Sequence, residues 1–132
     1  MRLATWTYVD GLDAAVTFYQ KVFDSKIKED ETWKKENGKY EICTLELEGR
    51  AAFSLAERKG KYAIEGKAVA GNTMQLCMLY PKKDLPKLKK TYELLAEGID
   101  VRLPLQSDAW TTHTCDLIDK YGIRWCLMVW GE

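Results

Sequence analysis

The residue pattern of this chain predicts a strand, a helix and three strands, and then the same order a second time. Residues 2–9 alternate, with Leu3, Thr5, Thr7 and Val9 set against Arg2, Ala4, Trp6 and Tyr8. A period of two in aromatic and β-branched residues predicts a strand. Leu12, Ala15, Val16, Tyr19, Val22 and Phe23 then recur at steps of three and four, which places them on one helix face. Asp10 and Asp13 stand where an N-cap or a first-turn acid is favourable, and the helix is expected to end near 23–25. Strands are expected over 26–34, 40–48 and 50–56. The Asn37-Gly38 pair suits a tight hairpin turn with positive φ at both central positions, and Gly49 marks the next turn.

The pattern restarts after residues 57–71, a stretch with Arg58, Lys59, Lys61 and Lys67, three glycines and no clear period, read as a basic surface loop. An apolar strand is expected over 73–79. Asp84 is placed to cap a second helix, with Pro86 in its first turn and Leu85, Leu88, Tyr92 and Leu95 on its buried face. Gly98 suits its C-terminal stop. Strands at 99–105, 114–118 and 124–130 complete the copy, with His113 in the loop before 114–118 and the turn Asp119-Lys120-Tyr121-Gly122 joining the last two. The expected fold is α+β. One domain over 1–132 is built from a first βαβββ unit (1–56), the basic linker loop (57–71) and a second βαβββ unit (72–132). A single such unit leaves one sheet face bare, so two units are expected to curve into a cup-like mixed sheet enclosing a concave site.

Composition narrows the function classes. Apolar residues are 46% and charged residues 30% of the 132, a globular balance. Lys plus Arg equals Asp plus Glu, 20 against 20, which gives no general electrostatic reason to expect nucleic acid or an anionic membrane as partner. No apolar run approaches the ~20 residues of a membrane span. Met1-Arg2-Leu3-Ala4-Thr5-Trp6 passes straight into the first strand pattern without an export signal, so the expected compartment is the cytoplasm. Cys43, Cys77, Cys115 and Cys126 show no C-x-x-C spacing and read as reduced strand residues. A final hairpin with a two-residue loop would set Cys115 opposite Cys126, and a bulged turn with left-handed Gly122 would break that facing; the sequence leaves both open.

The segment Leu94-Leu95-Ala96-Glu97-Gly98, Val101, Pro104-Leu105, Trp110, Asp119-Lys120-Tyr121-Gly122 and Trp125 resembles the C-terminal signature of PhnB-like proteins. These belong to the vicinal-oxygen-chelate superfamily of glyoxalases, bleomycin-resistance proteins and extradiol dioxygenases. Tyr8, Ala15 and Phe18-Tyr19 resemble the opening strand and helix of the same proteins, and Cys115 stands where they usually have glycine. The resemblance implies a glyoxalase/bleomycin-resistance-type fold, and it implies that metal-dependent members place His, Gln or Glu ligands on the first and last strand of each unit. Those positions here are Ala4, Ser54, Thr73 and Cys126, and a one-residue slip gives Thr5, Leu55, Met74 and Leu127. Only a thiol among them is a competent ligand, so no metal and no other cofactor is expected. The sequence also lacks a Gly-rich loop of the kind that cradles a nucleoside cofactor.

If alternation holds, Arg124, Cys126 and Met128 share a face, as do Thr73, Gln75 and Cys77, and as do Ala4, Trp6 and Tyr8. The expected lining of the cup is therefore Trp6, Tyr8, Ser54, Thr73, Gln75, Trp110, Arg124 and Cys126. Such a surface suits a flat or amphipathic ligand with an anionic edge. The leading expectation is a metal-free small-molecule binding protein of unknown reaction, acting as a homodimer. The alternatives are a superfamily enzyme with non-standard site residues, using Arg124, His113 or Cys126, and a domain for protein contacts whose cup is closed by its own tryptophans.

Overall fold

The computed structural model describes every residue except Arg50, Ala70 and Glu132, and only the backbone of Ala51, Ala52 and Tyr62. It divides into two compact units, Met1–Lys67 and Ala68–Glu132. In the first unit β1 (Thr5–Val9) leads to α1 (Leu12–Phe23), followed by β2 (Lys26–Ile27), β3 (Trp33–Lys34), β4 (Tyr40–Leu47) and β5 (Ala51–Glu57). The sheet order is β1-β5-β4-β2, with β3 also on β4. β1 runs parallel to β5, and the other pairs are antiparallel. Arg50, the first residue of the expected third strand, lies outside the described residues.

The expected strand 26–34 is broken in two. Three consecutive acids, Glu29, Asp30 and Glu31, form a 3-10 turn in its middle; adjacent like charges and low strand propensity disfavour a continuous ladder there. A set of hydroxyls ties the turn to the sheet. Thr44 Oγ1 lies 2.6 Å from the Glu31 carbonyl and 2.7 Å from Ser54 Oγ, and Thr32 Oγ1 donates to the Lys28 carbonyl at 2.8 Å.

α1 buries Leu12, Ala15, Val16, Tyr19 and Val22 against Cys43, Leu45, Phe53 and Leu55 of the sheet. The Tyr19 ring meets Phe53 edge-on at 5.3 Å. Neither Asp10 nor Asp13 caps this helix. Glu57, at the end of β5, accepts from Gly11 N at 2.9 Å and Leu12 N at 2.8 Å, so a carboxylate 45 residues away satisfies the helix N-terminus. Asp10 instead pairs with Arg58 at 3.2 Å, while Asp13 accepts from Tyr40 N at 3.4 Å. The Asn37-Gly38 turn also differs from expectation. Only Gly38 has positive φ (83°), and Gly38 N donates back to the Lys35 carbonyl at 3.0 Å. This is a turn with a left-handed glycine after it, a longer loop than the two-residue hairpin.

The second unit repeats the arrangement. β6 (Leu76–Tyr80), α2 (Leu85–Ala96), β7 (Leu103–Asp108), β8 (Thr111–Ile118) and β9 (Arg124–Val129) form a sheet in the order β6-β9-β8-β7. Here too the first and last strands of the unit are parallel neighbours. Asp84 holds the N-cap position of α2 without a side-chain cap bond, and Pro86 stands in the first turn. The buried side chains of α2 are Leu88, Thr91 and Leu95; Thr91 takes the place expected for Tyr92, and its hydroxyl accepts from Tyr80 Oη at 3.2 Å. β6 starts at Leu76, so Thr73 and Gln75 precede it. β7 lies later than the expected 99–105, and β8 starts early enough to contain His113.

The final turn explains the most recognisable motif of the sequence. Asp119 is 4% exposed and accepts three bonds: Tyr121 N at 2.8 Å and Ile123 N at 3.1 Å on Oδ1, and Trp125 Nε1 at 2.8 Å on Oδ2. Gly122, at φ 84°, supplies the left-handed residue that makes the bulge. Asp, Gly and Trp are thus one structural device. Its register pairs Asp116 with Cys126 and Cys115 with Leu127, so Cys115 does not face Cys126.

Candidate functional site

Strand alternation sends Leu76, Met78, Trp125, Leu127, Val129, Cys115 and Leu117 to the helix side of the second sheet. Cys77, Leu79, Arg124, Cys126, Met128, Thr114 and Asp116 go to the open side. A polar array centres there on Asp116. Arg124 donates from Nε to Oδ1 at 2.9 Å and from Nη2 to Oδ2 at 2.6 Å. Arg102 Nε donates to Oδ2 at 2.8 Å, and Gln75 Nε2 donates to Oδ1 at 2.9 Å and to the Trp125 carbonyl at 3.3 Å. The carboxylate accepts four bonds and is saturated. The Arg124 guanidinium, then Arg102, holds the Asp116 carboxyl below its ordinary value of 3.8 against the opposing effect of burial. Reciprocally, Asp116 raises Arg124.

Two guanidinium groups share one carboxylate, so the array carries a net charge of +1. Both terminal nitrogens of Arg102 and Nη1 of Arg124 have no acceptor among the described residues. The Arg102 side chain is 60% exposed. Leu79 and Leu103 are exposed on the same face, and Met128 is half-buried.

The expected lining residues fall in both units, Trp6, Tyr8 and Ser54 in the first and the rest in the second. Gln75, Arg124 and Cys126 come together on this face, with Thr114 Oγ1 3.6 Å from Cys126 Sγ. Thr73 is exposed ahead of β6, and Trp110 is exposed at the tip of the β7–β8 hairpin. Trp6, Tyr8 and Ser54 share the open face of the first sheet, where Trp6 and Tyr8 are exposed but Ser54 is buried in its hydroxyl pair with Thr44. His113 and Cys126 occupy opposite faces of the second sheet, and the His113 ring nitrogen Nδ1 lies 3.1 Å from Thr112 Oγ1. A base–nucleophile pair from these two is excluded by register. Arg102 and Asp116 were not anticipated; seeing them required the bulged register and the later start of β7.

Both units thus have the strand order first-last-third-second with a helix on one face, and solved structures of the same form identify it. A PhnB protein from Bacillus cereus superposes with a TM-score of 0.77 at 21% identity, covering 98% of this chain and 100% of that one. The chain has the glyoxalase/bleomycin-resistance fold. The protein PA1353 from Pseudomonas aeruginosa matches at TM-score 0.74 and 15% identity, over 98% of this chain and 97% of its own. A glyoxylase/bleomycin resistance protein/dioxygenase domain from Frankia matches at 0.68 and 15%, over 98% and 96%. No family model and no curated protein matches the sequence.

In the glyoxalase fold the resemblance assigns metal ligands to the positions of Ala4, Ser54, Thr73 and Cys126. The residues present do not fit a divalent ion: a methyl group, a hydroxyl already bonded to Thr44, a second hydroxyl and one thiol. Among the described residues no three His, Cys, Asp or Glu side chains converge elsewhere. No described helix is long and apolar enough to cross a membrane.

Proposed function

We propose that this chain binds a small anionic molecule without a metal ion, on the open face of the second sheet, through Arg102 and Arg124. The observation that supports this is the surplus of guanidinium over carboxylate. Asp116 uses only Nε of Arg102 and Nε and Nη2 of Arg124, so it orients both groups while leaving their outer N–H donors for a ligand. Planar guanidinium donors already fixed in place suit a carboxylate or a phosphate, and little rotamer freedom is lost on binding. Gln75 completes the frame, while Leu79, Leu103 and Met128 offer an apolar surface to the body of the ligand. The ligand is therefore amphipathic with an anionic edge. The reading extends to an isologous homodimer, the commonest symmetric assembly, which sedimentation velocity would show or refute.

The test is a melting-temperature series with benzoate, phenyl phosphate, inorganic phosphate and benzylamine, run with chelator present. Benzoate or phenyl phosphate should raise Tm saturably in the parent and not in an Arg102→Ala variant, and benzylamine should do nothing. Equal responses of parent and variant, or no response to any anion, would remove the proposal.

A further inference from the structure

The second unit holds a pair of thiols that the anion site does not use. Cys77 and Cys126 are direct partners across the parallel strands β6 and β9. Cys77 is exposed and Cys126 is partly so. Neighbouring strands lie about 4.7–4.9 Å apart, within the Cα separation of roughly 4.4–6.8 Å that a disulfide spans. Direct partners also point their side chains from the same face of the sheet. The other two cysteines contrast with this pair. Cys43 is 0% and Cys115 2% exposed, and burial pushes each thiol up to about 11. Cys115 partners Leu127 and points to the helix side.

We propose that Cys77 and Cys126 form an oxidisable dithiol, a modification site at which hydrogen peroxide closes an intramolecular disulfide without any change of strand register. The exposed Cys77 thiolate attacks one peroxide oxygen, the O–O bond breaks, and hydroxide leaves with the displaced electron pair. The resulting Cys77 sulfenic acid is attacked at sulfur by the Cys126 thiolate, which forms the S–S bond and expels a second hydroxide. The two thiol protons convert both hydroxides to water. In sum, two thiols are oxidised by two electrons and one peroxide is reduced to two waters. Although its side chain is open to solvent, partial desolvation at the sheet surface, then Cys126 beside it, raises the Cys77 thiol above its ordinary value, so closure accelerates as pH rises.

The inference is independent of the anion site, because it requires only the β6–β9 register. The experiment treats the full chain with hydrogen peroxide at pH 8, followed by thiol titration in denaturant and non-reducing peptide mapping. The expected result is loss of two of the four thiols, a mass lower by two hydrogens, and one linked peptide joining Cys77 to Cys126, all reversed by dithiothreitol. In Cys126→Ser the link should vanish, and dimedone should trap a sulfenic acid on Cys77. Three results would overturn the proposal: oxygen added to single cysteines with no link in the parent, disulfides only between two chains, or a link that involves Cys43 or Cys115. The parent mapping decides the matter even if the variant does not fold.

Discussion

At the residue scale two aspartates three positions apart do different work. Asp119 holds the last turn together, and Asp116 holds two arginines. Asp119→Ala removes three accepted bonds, among them the one from the indole N–H of the buried Trp125. It should destabilise the protein by roughly 3 kcal/mol in urea unfolding. Gly122→Ala should cost about 1–2 kcal/mol, because a Cβ is disfavoured in the left-handed region. Asp116 makes a pH-dependent contribution. Its folded value is lowered, so its stabilisation is complete above the ordinary carboxylate value and is lost as pH falls through the depressed folded one. A carbon-detected titration of the Asp116 carboxyl should therefore show a midpoint below 3.8, and in Arg124→Ala the midpoint should move up. A midpoint unmoved by that substitution would contradict the bonding described.

At the scale of elements, the helices and most strands were legible because their signals are local. The steps of three and four over 12–23 placed α1 within its observed bounds, and 40–48 nearly matched β4. What escaped the sequence was set by distant partners. α1 is capped by Glu57 from another element, which no local cap pattern reveals. Glu57→Ala should cost about 1 kcal/mol, the usual worth of a helix cap, whereas Asp13→Ala should cost less. Equal losses in the two variants would show that the first-turn acid matters as much as the remote carboxylate. The split of 26–34 into β2 and β3 likewise depends on Thr44 seizing the Glu31 carbonyl from inside the sheet. The candidate site was half legible. Gln75, Arg124 and Cys126 followed from alternation, but Asp116 and Arg102 join them only through a bulge and a strand start that local patterns leave open.

For the whole molecule, the motif that makes the fold recognisable is the one that builds the β8–β9 turn, and it carries no reaction with it. The fold is shared with proteins of 21% identity or less, while the residues at the positions that the resemblance assigns to metal ligands, Ala4, Ser54, Thr73 and Cys126, are unsuited to an ion. Added manganese, zinc, nickel or iron(II) should leave Tm unchanged, and a clear rise at one equivalent would contradict the donor set described. Arg102 and Arg124 are proposed to form a ligand site preorganised by Asp116. The most direct measurement is an NMR titration of the arginine Nε–H resonances with benzoate in chelator-treated protein. The Arg102 and Arg124 signals are expected to shift together and saturate on one binding curve while those of the other three arginines stay put. Uniform, unsaturated drift of all five signals, or no movement of the Arg102 and Arg124 signals, would contradict such a site.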